Sequence, residues 1–409
     1  MGVVGSPNLS PAHGVAVLRT TDAIRQRATW LLHRARAGDS PWFTVHDDAL
    51  ANAAAEVVDI TRIRYPDLVI PYHSRWRHFE AGGVDRRGRL DALLAGRDTA
   101  QRARAMIDLT VISVLLDAGA GPDWRYAEGA QRYTRSEGLA VGSWHAFADG
   151  LFSSDPTAPL RVDAAGLRAL TTARLAAAFQ VGADNPLVGL DGRVELLHRL
   201  GDALADQPEA FGPLGRPGGL FDMLAGPGGV VTAHDILTRL LDHLSGIWLA
   251  DNTIDDRPLG DCWPHPAVPG PGLSAGWMPF HKLSQWLTYS LLEPFEWSGV
   301  PVRSVEALTG LPEYRNGGLL LDTGVLRLRD PAWGTRRWSV ADELVVEWRA
   351  LTVALLDELA PLVRDGLDVA ELPLACVLEG GTWAAGRALA QRLRGGLPPL
   401  AVISDGTVF

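Results

Sequence analysis

Cysteine is scarce in this chain. Its two residues, Cys262 and Cys376, have no Cys neighbour, so neither a disulfide framework nor a thiolate zinc cage is expected and a reducing cytoplasm fits best. Positive charge is in deficit as well: 38 Lys and Arg stand against 48 Asp and Glu, a formal net charge of −10. Binding a nucleic acid needs a concentrated basic surface, so DNA or RNA is not the expected partner. Long apolar runs are missing. The longest uncharged stretches, Leu109 to Leu116 and Leu283 to Leu292, stop well short of the ~20 residues that span a bilayer, and no membrane association is expected. The opening stretch lacks the cationic and then apolar build of a secretory signal, and residues 1–15 read as a loose arm. A phosphate-binding loop, a strand-led Gly-x-Gly-x-x-Gly and a Gly-x-Ser-x-Gly elbow are all absent, which removes most support for kinase, nicotinamide and serine-hydrolase readings.

What is abundant is helical periodicity. Leu344, Trp348, Leu351, Leu355 and Leu359 recur at three- and four-residue steps and predict a helix over 340–359. Ile236, Leu240, Leu244 and Trp248 form a second stripe behind a cap signal at Thr232 to Asp235. Further helices are expected over 20–37, 47–63, 105–116, 167–179, 194–205 and 282–292. Strand signals are short, as at 325–328 and 400–403. The chain is therefore expected to be mainly α, with residues 16–409 forming a helical region in one or two lobes and a boundary near 206–232. Gly and Pro crowd 211–230 and 262–279, which read as long loops; the segment from Arg257 to Pro279 is expected to close over a site, bringing Asp261 or His265 to a ligand.

Four clusters carry candidate chemistry. Tyr72-His73-Ser74-Arg75-Trp76-Arg77-His78 sets two His and two Arg among aromatics. It reads either as a site where the Arg residues clamp an anion and Trp76 or Tyr72 stacks on a base, or as a helix start with core aromatics and solvated Arg. The five-residue offset of His73 and His78 does not put two imidazoles on one helical face. Asp251, Asp255, Asp256 and Asp261 either hold a hard cation or form a helix end and a solvated loop paired to Arg257. Glu313-Tyr314-Arg315 places a carboxylate beside a cation and reads otherwise as a surface turn; Glu379 is a lone acid in an apolar neighbourhood before Gly380, Gly381 and Trp383.

Several segments resemble a family linked to uracil catabolism in fungi and bacteria: Ile70 to Phe79, Ile107-Asp108-Leu109, Gly121 to Tyr126, Pro159 to Asp163, Asp261 to His265 and the closing Ser404 to Phe409. The resemblance covers nearly the whole chain and implies a pathway with a ribosyl-urea type intermediate that must release urea. The order of motifs is also similar to that of the queuosine-salvage nucleoside hydrolases, helical proteins with a DNA-glycosylase-like fold. Ile107-Asp108-Leu109, Leu311 to Arg315 with Leu319, Leu320, Gly324 and Leu326 in register, and Leu378-Glu379 with Trp383 carry that likeness. Glu313 falls on the family's catalytic Asp. Glu stands for Asp at 313 and 379, Leu311 replaces an aromatic, and Ala384 replaces an acid, which implies a leaving group smaller than queuine. The family's pocket histidine falls on His73 or His78.

The resemblance implies hydrolysis of an N-ribosyl bond in ribosyl-urea or its 5′-phosphate. Its oxocarbenium-like transition state calls for a carboxylate near the anomeric carbon and hydrogen bonds to the ribose. Glu313 takes the first role, and Glu379 and Asp108 hold the sugar or the departing group. His73, Arg75, Arg77 and Lys282 bind a 5′-phosphate where one is present, while Trp76 and Trp124 close the pocket. Tyr314 orients water or a hydroxyl, and Arg315 keeps Glu313 ionised. The partner is a small ribosyl molecule, and the mechanism requires no metal or organic cofactor. Two rivals stand beside it: a metal-dependent amidohydrolase acting on a ureide through the Asp251 to Asp261 cluster, and a non-catalytic binding protein of the pathway. Oligomeric state is not legible.

Overall fold

The computed structural model describes residues 10–226, 229–250 and 252–403. It is 57% helical, against roughly a third in an average globular protein, and its strands are two or three residues long and paired two by two. The fold is mainly α, as the periodicity predicts. Among the described residues no helix is long and apolar enough to cross a membrane.

The chain clusters into two units. The first takes the residues up to His73, those as far as Gln285 from the second cut, and Val305–Ile403; the second takes Ser74–Ala250 and Trp286–Ser304.

In the first unit the long helix Glu343–Leu367 packs on Thr21–Arg36 and Leu50–Arg64. The stripe read from the sequence is its inward face: Leu344, Trp348, Leu351, Leu355 and Leu359 are all buried. Helix Tyr314–Asp322 lies against Trp383–Arg394. Gly386 makes that approach possible, because a Cβ there would collide with the Arg315 carbonyl. Both short strands expected late in the chain form, Leu326–Leu328 pairing antiparallel with Phe43–Val45 and Ala401–Ile403 pairing parallel with Arg337–Ser339.

Two expectations are corrected. Of the opening arm, residues 1–9 lie outside the described residues, but Pro11–Leu18 is a helix. Ser10 caps it by accepting from the His13 amide, Pro11 supplies a preset first turn, and Val15 and Leu18 are buried against Ile254, Leu259 and Cys262. The presumed long loop after Arg257 contains an antiparallel hairpin, Cys262–Pro264 with Trp277–Pro279. Its prolines fall at Pro264 and Pro279, where strands this short do not need every amide.

The second unit holds helices Thr99–Leu115, Arg135–Ala148, Leu190–Ala205 and Ala233–Leu244. Thr232 and Asp235 form the capping box expected from the sequence. Residues 167–179 were expected as one helix and form parts of two, Ala164–Arg168 and Thr172–Ala178. Thr171 starts the second by accepting from the Arg174 amide, the competing use of a hydroxyl that favours a cap over a helix interior.

One buried ion pair ties the first unit together. Asp261 and Arg349 meet in a two-pronged contact, with guanidinium nitrogens 2.8 and 2.7 Å from the carboxylate oxygens. The Trp263 indole and the Lys282 amide also donate to Asp261, and Arg349 Nε donates to the Pro312 carbonyl. Burial alone would raise the Asp261 carboxyl, yet Arg349 and the other donors outweigh it and bring it to about 2. Removing one partner leaves a buried charge uncompensated, so Arg349→Met is expected to cost about 3–5 kcal/mol in urea unfolding. The pH dependence has a definite sign. An unfolded Asp titrates near ~4, so the folded chain holds fewer protons, and this contribution is present above ~4 and lost as pH falls through about 2. Asp261→Asn should flatten the acid limb of stability against pH, and an unchanged limb would contradict this.

Candidate functional site

Glu313 is the N-cap of helix Tyr314–Asp322, with an extended backbone at φ −117° and ψ 168°. Its two carboxylate oxygens divide the free amides of the first turn: Oε2 accepts from the Arg315 amide at 2.7 Å and Oε1 from the Asn316 amide at 2.5 Å. The residue is half-buried. Desolvation raises its carboxyl above the ordinary Glu value, while the two amides and the Lys282 and Arg315 charges pull the other way. The result is a carboxylate of fixed orientation beside the positive end of a helix, retaining some contact with solvent.

Glu379 lies in a different local structure. Helix Leu374–Val377 widens into a single π-turn over Leu378–Thr382 before Trp383–Arg394 continues. Such turns occur frequently at functional sites. Gly381 fits it against helix Leu50–Arg64, since a Cβ there would stand 2.5 Å from both the Val57 carbonyl and the Thr61 hydroxyl. The nearly buried Glu379 carboxylate accepts from three donors: Arg64 at 2.7 Å and the Tyr65 hydroxyl at 3.0 Å on Oε1, and His73 Nδ1 at 2.9 Å on Oε2. Burial pushes this carboxyl up, but His73 and Arg64 together hold it at about 2.

The π-turn joins these two acids. Thr382, its last residue, donates its hydroxyl to the Asn316 side chain at 2.8 Å, and Asn316 is the residue whose amide holds Glu313. The Asn316 side-chain amide donates in turn to the Leu311 carbonyl at 3.0 Å. Arg349, paired with Asp261, anchors the intervening Pro312 carbonyl, and Asp261 also holds the backbone of Lys282, whose charge acts on Glu313. Glu313, Glu379, His73, Lys282 and Asp261 thus belong to one connected network within the first unit.

The remaining candidates have other surroundings. Tyr314 is exposed with the buried Arg315 guanidinium over its ring, and Trp383 is half-buried under Arg387. In the second unit Asp108 is fully buried and accepts from the Val162 and Gly218 amides and from Arg216. Burial raises its carboxyl despite Arg216. Arg75 is fully buried, donating to Ser113 and to the Ser136 carbonyl and pairing with Asp117 at 3.1 Å; His78 Nδ1 lies 3.3 Å from it. Arg77 is shared by Glu293 and Glu80. The indoles of Trp76 and Trp124 donate to the Ser290 and Phe179 carbonyls inside the core.

The acidic run near 251–261 is not gathered around a point. Asp251 lies outside the described residues. Asp255 and Asp256 are exposed with φ of 49° and 59° and make the two-residue turn between Thr253–Ile254 and Arg257–Pro258, a geometry Asp tolerates well. A different group has the spacing of metal ligands: His265, Glu343 and Glu347, with one ligand-type atom from each lying within 4.8 Å of the others. Its donors are already engaged. The Ser40 hydroxyl donates to Glu347, Arg34 is 3.6 Å from it, and the Trp42 indole donates to Glu343 at 3.1 Å. The Ala267 amide donates to His265 Nδ1, which puts the ring proton on Nε2, facing Glu347 at 3.3 Å. A metal ligand needs that nitrogen unprotonated, so this arrangement is a hydrogen-bonded buried pair.

Glu313 was marked by the motif resemblance and not by a cap signal, since Ser, Thr, Asp and Asn favour the N-cap and Glu does not. The partnership of Glu379 with His73 was not legible, since 306 residues separate them.

Over 408 residues the chain is 39% identical to Protein urg3 of Schizosaccharomyces pombe, covering 97% of this chain and 99% of the relative. It is 41% identical over 378 residues to Uracil catabolism protein 4 of Lachancea kluyveri, covering 83% and 85%. Residues 17–409 match a family model described as a protein of unknown function, DUF1688, and with this coverage the chain belongs to that family.

Proposed function

We propose that this protein hydrolyses an N-ribosyl bond in uracil catabolism, releasing urea from ribosyl-urea or its 5′-phosphate. The pathway is the one named for the Lachancea kluyveri relative, the reaction is the one the motif resemblance implies, and the geometry around Glu313 supports it. One observation carries the reading: a half-buried carboxylate, Glu313, is held by two backbone amides at a helix start, with a Lys charge acting on it. Cleavage at an anomeric carbon builds positive charge on the ribose. A carboxylate that cannot rotate away stabilises that charge without reorganising, which is where electrostatic catalysis gains most. Glu313 also accepts a proton from the attacking water, a role favoured by a carboxyl raised above the ordinary Glu value. Tyr314 and Trp383, the exposed and half-buried aromatics nearest these acids in sequence, border the substrate.

Two outcomes follow. Glu313→Gln keeps the side chain's size and one of its two acceptor oxygens but removes the charge, and kcat for urea release from ribosyl-urea should fall about 100- to 1,000-fold with the fold intact by circular dichroism. Near-wild-type turnover would remove Glu313 from the role. The second outcome concerns pH. Activity that requires ionised Glu313 should fail on the acid side at a pH above the ordinary Glu value, and Lys282→Met, by deleting a charge that lowers this carboxyl, should move that limb to still higher pH. A limb unmoved or shifted downward in a kcat/KM profile would show that Lys282 does not act on the essential group.

A further inference from the structure

The reading above gives Glu313 a task on the sugar but leaves the departing nitrogen unattended. A urea nitrogen is a poor leaving group unless it takes a proton as the bond breaks, so hydrolysis at this bond calls for an acid as well as a carboxylate. Among the described residues of the first unit, His73 and Glu379 form an arrangement suited to that work. His73 Nδ1 lies 2.9 Å from Glu379 Oε2, and the His73 amide donates to the Ala375 carbonyl at 2.9 Å, which fixes ring and backbone together. Glu379 is itself immobilised by Arg64, by the Tyr65 hydroxyl and by the π-turn that Gly381 seats against Val57 and Thr61. Because the other end of that turn reaches Glu313 through Thr382 and Asn316, one five-residue segment sets both groups.

We propose that His73 is the general acid of this reaction and that Glu379 is its positioning residue, holding Nδ1 so that the proton delivered is the one on Nε2. The inference rests on the N-ribosyl hydrolase reading. It also revises the part given to Glu379, whose oxygens are occupied by protein donors and which acts through His73 rather than on the sugar. The step balances. The bond from the anomeric carbon to nitrogen breaks, its electron pair stays on nitrogen, and nitrogen takes the His73 Nε2 proton. Water adds to the anomeric carbon and gives its proton to Glu313. Exchange with solvent returns one proton to His73 and removes one from Glu313, so ribosyl-urea and water become ribose and urea. Glu379 fixes Nδ1, and Arg64 on the far oxygen holds the carboxylate in place.

The test compares two leaving groups in the full-length chain. Ribosyl-urea needs a proton on its departing nitrogen, whereas 4-nitrophenyl riboside departs as a stable anion and needs none. His73→Gln and His73→Asn should lower kcat for ribosyl-urea by about 100- to 10,000-fold with KM little changed, while the nitrophenyl substrate loses less than about ten-fold. Glu379→Gln, which keeps the side chain's size and one acceptor oxygen, should show the same split in weaker form, and it carries the test if the His73 variants do not fold. A merely structural role would lower both substrates alike, and that result overturns the assignment while leaving the hydrolase reading in place. Wild-type protein that cleaves neither riboside overturns the hydrolase reading and this inference with it.

Discussion

The Asp261–Arg349 pair is the constraint on which the first unit depends. Burying two opposite charges gains little net stability, because desolvation offsets much of their attraction. What the pair supplies is placement: its remaining hydrogen-bonding capacity goes to Trp263 in the hairpin, to the backbone at Lys282 and to the Pro312 carbonyl. Four segments that are far apart in the chain are thereby held around a single guanidinium. Phe280 covers its face, with the Arg349 carbon 4.0 Å from the ring centre, so the contact is shielded from water.

Much of this architecture could be read from residue order alone. Helix periodicity marked the long helix 343–367 because its apolar stripe has to face a core on one side only. The capping box at Thr232 was legible because it is local chemistry within four residues. Reading failed where distant contacts decide. Pro11–Leu18 looked like a loose arm because its apolar face is short and its partners, Ile254, Leu259 and Cys262, lie more than two hundred positions away. The Pro-rich stretch after Arg257 looked like a loop because proline content masks a hairpin whose strands are three residues long.

The candidate site divides along the same line. Glu313 was recognisable from the motif resemblance over Leu311 to Leu326, while its place as a helix cap shows only in the two backbone amides it accepts from. Glu379 was recognisable only as a lone acid, and its meaning came from Arg64, Tyr65 and His73, none of which is near it in sequence. Arg75 shows the opposite case: dense basic residues suggest an exposed anion clamp, yet this guanidinium is sealed among Ser113, Ser136 and Asp117. Charge density along a chain does not reveal burial.

The π-turn at Leu378–Thr382 has a consequence for how this site tolerates change. A π-turn holds one more residue than an α-helix would place in the same circuit. Deleting Leu378, Gly380 or Gly381 would let the segment close as ordinary α-helix and change where its remaining side chains point relative to the flanking helices. Glu379 would then turn away from Arg64 and His73, or Thr382 away from Asn316, although both residues would still be present. The site is thus protected by residue count as much as by residue identity. Within these five positions a deletion that leaves both polar side chains in the chain does more harm than a conservative substitution of either.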